Sequence, residues 1–253
     1  TVVVDDGDEI KADDAQVDEL LEILGEFMKA VESVKEKIGF APVLFVQVKK
    51  GDNDASDTGS RKGESADPTV TLEQKLVEQL KEKEVGIRVT LESEAWVEVP
   101  SAYFSAQRAR KFALALTEEN GKGWKGVPNP GEAYQLQVWS NGKKVTSFGK
   151  TGFTLGLPVA DDASSKLQAF SYRSNMWKPA IGLKGKAIQV TKEDDLGIFS
   201  VTTAASYVIG ESALKRIEIE PKSLKLAQGE EAQLKVMAIL GNDAEEDVTE
   251  AEG

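Results

Sequence analysis

The sequence predicts an α+β fold that is mostly β, with β-sandwich-like modules and two N-terminal amphipathic helices. Three observations lead to this prediction. Apolar residues recur at helical spacing in two segments before residue 85. From residue 85 to 211 they alternate with polar residues in short runs, separated by Gly, Pro and Asn. Histidine and cysteine are absent from all 253 residues, so no disulfide and no Cys-ligated zinc holds the fold together.

The two helices are predicted over residues 13–38 and 71–83. In the first, apolar residues at steps of three and four form one broad stripe, which is typical of packing against a sheet. Acidic residues at its start and Lys35 and Lys37 at its end complement the helix dipole. In the second, Thr71 is the expected N-cap, and Gln74 three positions later suits a capping box.

The strands are predicted to be short, and turn residues separate most of them. They lie within residues 1–4, 41–50, 85–99, 112–118, 134–139, 145–148, 153–158, 166–172, 186–190, 198–203 and 206–209. Asn141-Gly142 between two of these runs is a strong hairpin signal, because both residues tolerate the positive φ angles of a type I′ turn. The many short strands predict a sandwich or a barrel.

Composition excludes several function classes. The chain has 31 Lys and Arg against 43 Asp and Glu, a formal net charge of −12. Such a surface repels phosphate backbones and anionic headgroups, so we expect neither nucleic acid nor membrane insertion. Without histidine the chain lacks the usual general base and the Ser-His-Asp arrangement. The sequence carries no signal for an oligomeric state.

The C-terminal residues 212–253 resemble the opening strands of the bacterial Ig-like group 2 family. The matching positions are Ile217, Ile219, Pro221, Leu226, Gly229, Glu230, Leu234, Val236, Ala238, Gly241, Asp247, Val248 and Thr249. The resemblance covers about 40 residues, under half of a sandwich domain of roughly 100 residues. It implies a truncated Ig-like domain, extracellular, acting as a spacer or a carbohydrate-contacting module, with no catalytic residues.

The middle of the chain is similar to a β-rich segment of Gram-positive surface proteins that carry S-layer homology domains. The similar stretches are GKKVTSFGKTGFTLGLPV (142–159), KLQAFSYRSNMWKPA (166–180) and LGIFSVTTAASYVIGE (196–211). Those proteins have His-Phe-Ser where this chain has Ala204-Ala205-Ser206, so the histidine is missing. The resemblance implies an extracellular β module and no known reaction.

Two of the four tryptophans are candidate ligand contacts. Trp96 and Trp139 lie in alternating strands, where we expect them in the core. Trp124 lies in a Gly- and Pro-rich loop and Trp177 in the turn before Pro179. Exposed aromatic faces stack on the apolar side of a sugar ring. The alternative is that these loop aromatics fold back as a lid on the core.

Carboxylates supply two further hypotheses. Asp52, Asp54 and Asp57 alternate in a loop over residues 51–67, as oxygen ligands of a Ca²⁺ loop do. The EF-hand pattern fails there, because Asp57 stands where Gly is required and Gly63 where Glu is required. The pairs 161–162 and 194–195 and the run 245–247 could supply a glycosidase acid and base. We expect an unmetallated loop and solvated turns instead, with Ca²⁺ as the alternative cofactor.

These observations together predict three modules: an α/β module at 1–100, a β-sandwich-like module at 101–211 and an incomplete Ig-like domain at 212–253. The predicted function is non-catalytic. The chain would be a module of an S-layer-associated or adhesin-like bacterial surface protein, acting as a spacer or contacting cell-wall glycan or another surface protein. The alternatives are an accessory region of a carbohydrate-active enzyme and a Ca²⁺-dependent adhesin.

Overall fold

Strands supply most of the secondary structure in a computed structural model of the chain. The structure describes residues 1–11, 14–38, 42–49, 69–106, 111–119, 123–163, 166–182, 185–226, 231–241 and 245–249. The helices are α1 (Ala15–Ile38), α2 (Gln74–Glu82) and α3 (Ser101–Ala106). The strands are β1 (Val2–Asp5), β2 (Glu9–Ile10), β3 (Val43–Lys49), β4 (Val70–Leu72), β5 (Gly86–Thr90), β6 (Trp96–Val99), β7 (Phe112–Glu118), β8 (Tyr134–Ser140), β9 (Lys143–Val145), β10 (Phe153–Pro158), β11 (Leu167–Arg173), β12 (Met176–Pro179), β13 (Thr191–Glu193), β14 (Leu196–Val201), β15 (Ser206–Glu211), β16 (Leu214–Glu220), β17 (Lys235–Leu240) and β18 (Glu245–Asp247).

Two mixed sheets form the body of the molecule. The first sheet has the order β1-β3-β5-β6-β10-β14-β13, in which β1, β3 and β5 run parallel and the others pair antiparallel. The second sheet has the order β12-β11-β15-β8-β7-β4-β2, with β9 paired to β8. Strands from both sides of residue 100 lie in both sheets. The sheet pairing therefore crosses the boundary that the sequence analysis placed at residue 100.

One hydrophobic core joins the inner faces of the two sheets. Alternate residues such as Val97 and Leu155 of the first sheet and Leu114 and Leu136 of the second belong to a single buried cluster. The alternation places every second side chain on one face of a strand, so both sheets turn an apolar face inward. This arrangement agrees with the predicted β-rich, sandwich-like fold.

Aromatic residues fill one part of this core. Tyr103 of α3 lies edge-on to Phe153 at 4.8 Å between ring centroids, and Phe148 stacks on Phe153 at 3.9 Å. Phe104 and Phe112 contact the same group. All five side chains are at most 2% exposed. Residues 101–106 therefore form a short helix that brings two aromatic side chains into the core.

Two local predictions differ from the structure. Thr71 lies in β4 and is not a helix cap. Helix α2 begins after Glu73, whose side chain makes no capping hydrogen bond. Residues 186–190 form an isolated bridge at Ala187 and not a strand. By contrast, the hairpin signal is confirmed, because Asn141 and Gly142 both have positive φ, 52° and 74°.

The last three strands form a separate terminal sheet, β16-β17-β18, with antiparallel pairing. It meets the body where Gly241 packs on the amide of Gln168 and where the Ser212 amide donates to the Lys166 carbonyl at 2.8 Å. Large apolar side chains on this sheet stay exposed, among them Ile217 and Ile219. The terminal sheet therefore touches the body at one end and leaves an apolar face uncovered among the described residues.

Candidate functional site

The structure brings Trp124 and Trp177 together on the outer face of the second sheet. Trp177 lies on β12 opposite Tyr172 of β11, and its ring meets the Tyr172 ring edge-on at 5.2 Å. It is only 5% exposed and belongs to a small cluster separate from the main core. The other buried members of that cluster are Val127, Ala133, Phe170 and Val208. Trp177 is therefore a buried support.

A loop over residues 123–133 covers this cluster and carries Trp124. The Gly131 amide donates to the Ile209 carbonyl at 2.9 Å, and the Glu211 amide donates to the Pro128 carbonyl at 2.8 Å. A side chain at Gly210 would meet the Pro128 carbonyl at 2.6 Å, so glycine allows this close approach. These contacts tie the loop that carries Trp124 to β15.

The indole of Trp124 stacks on that of Trp177, with 5.9 Å between centroids and 26° between planes. Trp124 remains 38% exposed. Of the two candidate ligand contacts, only Trp124 offers aromatic surface to a ligand. The loop does fold back over the outer face, as the alternative predicted, yet it leaves one indole accessible.

Trp124 forms one wall of a concave site that we call the Trp124 groove, with a volume of about 450 Å³. The remaining wall is made of carboxylates and of proline and aliphatic side chains. The lining residues are Glu118, Glu119, Trp124, Pro130, Gly131, Glu132, Ala133, Pro158, Val159, Ala160, Asp161 and Asp195. Of these residues, all from the described part of the chain, five are acidic and none is basic.

The pairing of β10 with β14 brings two of these carboxylates together. Pro158 lies opposite Leu196, and the Val159 amide donates to the Asp195 carbonyl at 3.0 Å. Asp161 and Asp195 therefore reach one groove from two turns. The sequence predicts solvated turns for both, and their clustering has no local signal, because it depends on which strands pair.

A second concave site, which we call the edge cavity, opens between the two sheets with a volume of about 530 Å³. It lies where the parallel strands β1, β3 and β5 end. Its lining residues are Asp6, Val48, Thr69, Leu91, Glu92, Ser93, Leu116, Thr117, Glu118 and Tyr134. Glu118 lines both sites, so the edge cavity and the Trp124 groove are neighbours.

A short hydrogen-bond chain also connects the two sites. The Tyr134 hydroxyl donates to Glu132 Oε2 at 2.7 Å, and Ser93 is a second side-chain partner of Tyr134. Burial raises the pKa of Tyr134 above its ordinary value, and the hydrogen bond and charge of Glu132 raise it further. The phenol therefore stays protonated and donating at neutral pH.

The predicted metal site cannot be placed on this geometry. Asp52, Asp54 and Asp57 lie outside the described residues. Within the described ranges, no three His, Cys, Asp or Glu side chains are grouped so that they could hold a metal ion.

The other two tryptophans lie in strands. Trp96 is 6% exposed on the outer face of the first sheet, where the Arg88 guanidinium lies 4.0 Å above its ring. Trp139 is half-buried on β8. Trp96 is therefore buried, as expected, although it lies outside the inter-sheet core cluster. The expectation that Trp139 is a core residue is wrong, because that side chain is only half-buried.

Comparison with known proteins gives no family. The chain matches no protein-family model, and neither a curated protein nor a solved structure is significantly similar to it. In the part of the chain that the structure describes, no helix has the length and apolar character needed to cross a membrane.

Proposed function

We propose that this chain is a non-catalytic, extracellular module of a bacterial cell-surface protein and that it contacts glycan through the Trp124 groove. The observation that carries the proposal is an accessible indole, held in place from behind by Trp177, that faces a groove lined with carboxylates. The C-terminal resemblance to Ig-like domains and the middle resemblance to S-layer-associated proteins support the cell-surface location. In this proposal the terminal sheet is the start of an Ig-like spacer.

The composition of the groove supports a sugar ligand. An aromatic face takes the apolar C–H face of a pyranose ring, and carboxylate oxygens accept hydrogen bonds from its hydroxyls. The volume of about 450 Å³ lies in the range of about 300–1,000 Å³ that is typical of small-ligand sites. The acidic lining disfavours phosphate-rich wall polymers, because like charges repel.

The residues that support Trp124 from behind favour a role for Trp124 in ligand binding over a role as a lid on the core. The Trp177 ring is held by β12 and by contact with Tyr172, and the loop is hydrogen-bonded to β15. An indole fixed in this way loses little side-chain entropy when a ligand stacks on it. Weak single contacts of this kind gain strength when many copies are displayed on one surface.

The test is retention of the purified chain on cell-wall sacculi and on a panel of neutral and amino-bearing polysaccharides, followed by titration calorimetry with the retained sugar. We expect saturable binding that Trp124→Ala weakens by about tenfold or more, since 1.4 kcal/mol of lost contact is a factor of ten. Phe45→Ala is the matched control, because Phe45 is an aromatic residue that is 45% exposed and lies on the other sheet.

Two results would contradict the proposal. Absence of binding to every polysaccharide would leave the chain as a spacer or a protein contact. Release of reducing sugar from a bound polysaccharide would show catalysis and would favour the carbohydrate-active-enzyme alternative, for which the carboxylates of the groove are the observation in favour.

A further inference from the structure

The geometry points to the edge cavity as a subsite for a protonated amino group, so that the ligand is an amino-bearing glycan and not a neutral one. This inference rests on the proposed function, because it assigns the second half of the same binding surface. It combines the position of the cavity, the chemistry of its walls and its connection to the Trp124 groove.

The position of the cavity is set by the parallel part of the first sheet. Asp6 follows the end of β1, Val48 lies near the end of β3, and Leu91 to Ser93 follow the end of β5. In open sheets with parallel strands, the carboxyl ends form a crevice that commonly holds ligands.

The floor of the cavity is apolar and its rim is acidic. Val48, Leu91 and Leu116 supply the apolar floor, and Asp6, Glu92 and Glu118 supply carboxylates. Among the described residues that line the cavity, there is no lysine and no arginine. Within the described part of the chain, neither Glu92 nor Glu118 forms an ion pair.

The polar atoms of the inner wall are fixed before any ligand enters. The Tyr134 hydroxyl is committed to Glu132, and Thr69 Oγ1 accepts a hydrogen bond from the Leu116 amide at 3.1 Å. Tyr134 is 1% and Thr69 5% exposed. The acceptors that the described wall offers to a ligand are therefore the carboxylate oxygens of Glu92 and Glu118.

This combination selects an ammonium group. An ammonium has three donors and no acceptor, which complements a rim of carboxylates. Phosphate, sulfate and uronate groups would be repelled. A divalent metal ion needs six or more oxygens for Ca²⁺, and the described residues form no such cluster.

Because the two sites are connected, we expect the ammonium group to belong to the same glycan that stacks on Trp124. Glu118 faces both sites, and the pair Tyr134–Glu132 spans from one to the other. A sugar stacked on Trp124 would therefore place a neighbouring residue of the same oligosaccharide close to the edge cavity. An amino sugar carries the required ammonium on such a neighbour.

The experiment compares two oligosaccharides that differ only in that group: the β-1,4-linked tetramer of glucosamine and its fully N-acetylated counterpart. Titration calorimetry at physiological ionic strength suppresses the general attraction of a cation to an acidic protein. We expect the glucosamine tetramer to bind about tenfold tighter or more, the range that a charge-assisted hydrogen bond supplies.

The matched variants lie two residues apart on one turn. Glu92→Gln removes a rim carboxylate and should abolish most of the preference for the amine. Glu94→Gln removes the same charge from an exposed residue that does not line the cavity and should keep the preference. An equal loss in both variants would show that overall charge, and not the cavity, attracts the amine, and would overturn the inference.

The outcomes separate the inference from the proposed function. Equal affinity for both tetramers, lost in Trp124→Ala, would overturn the amine subsite and leave the glycan groove standing. An amine preference that depends on Glu92 but is unchanged in Trp124→Ala would support the subsite and overturn the groove. Binding of neither tetramer would overturn the inference.

Discussion

The body of the molecule and strand β16 of the terminal sheet have the same kind of sequence pattern and opposite burial. In the body, alternating residues such as Val97 and Leu155 are completely buried between two sheets. In β16, the alternating residues Ile217 and Ile219 are 56% and 49% exposed. The alternation predicts a strand in both places. Only a second sheet facing the first makes the apolar side of that strand a source of stability.

Of the substitutions that test this comparison, Phe153→Ala should cause the largest loss of stability. Phe153 is 1% exposed and contacts Tyr103 and Phe148, so truncation leaves a cavity and should lower the free energy of unfolding by about 3–5 kcal/mol. Chemical denaturation followed by tryptophan fluorescence measures it, because Trp96, Trp124, Trp139 and Trp177 all lie in the body.

The counterpart in the terminal sheet is Ile217→Ala. It should change the unfolding free energy of the body by less than about 0.5 kcal/mol, as surface substitutions usually do. If both variants lost similar stability, the terminal sheet would be packed as tightly as the body, and the contrast between the two regions would disappear.

A smaller loss is expected from Gly156→Ala on the outer face of the first sheet. The Trp96 indole lies so close over Gly156 that an added methyl group would overlap the ring. Trp96 is in turn covered by Arg88, which Glu98 holds through hydrogen bonds of 2.9 and 2.6 Å. Overpacking should therefore cost about 1–3 kcal/mol in thermal or chemical unfolding.

The control for that substitution is Gly123→Ala, because no atom lies within 4 Å of an added methyl group there. It should leave stability nearly unchanged. A Gly156→Ala protein as stable as the Gly123→Ala protein would mean that Trp96 can move aside without loss, and that its stacking with Arg88 contributes little.

The two regions should also respond to opposite ends of the pH scale. Burial raises the pKa values of Tyr103, Tyr134 and Tyr207 above the ordinary value of 10.0. An acid with a raised folded pKa contributes stability that is present below its unfolded pKa and is lost as pH rises through the folded value. The body should therefore lose stability above about pH 10, which denaturation midpoints across that range measure. A flat profile up to pH 12 would contradict this.

In the terminal sheet the group whose titration affects stability is the Asp247 carboxylate. We expect this effect on stability to be smaller than those of Phe153→Ala, Gly156→Ala and high pH. The Thr249 hydroxyl and amide donate to Asp247 and lower its pKa from 3.8. A lowered folded pKa contributes stability that is present above the unfolded value and is lost as pH falls through the folded value. Hydrogen exchange at the Val236 amide, which donates to Thr249 Oγ1, should quicken below about pH 4 relative to the intrinsic rate. Asp247→Asn should remove this dependence, and an unchanged response in that variant would exclude Asp247 as its cause.

Much of the local structure was predictable because it depends on neighbouring residues. The long stripe over residues 13–38 corresponds to α1, and Asn141-Gly142 specifies its hairpin without help from the rest of the chain. Strand β4 was missed because its three residues, Val70–Leu72, are held by pairing with β2 and β7. Thr71 and Gln74 match a capping box locally, and this distant pairing overrides it.

The candidate site was predictable only in part. The sequence singled out Trp124 and Trp177 from their position in loops. It could not decide that one would be buried and support the other, because that depends on where the 123–133 loop lies over β15. The carboxylates of the groove come from segments far apart in the chain, and each one alone reads as an ordinary turn residue.

The sequence by itself determined the β-rich class, the positions of most strands, the hairpin at Asn141-Gly142 and the acidic character of the surface. These follow from periodicity, backbone preference and composition, which act over a few residues or over the whole chain. The tertiary structure alone decided which strands pair, which tryptophan is accessible and that Glu118, Asp161 and Asp195 share one groove. Those features arise from contacts between residues distant in sequence, and only the packing of two sheets against each other creates them.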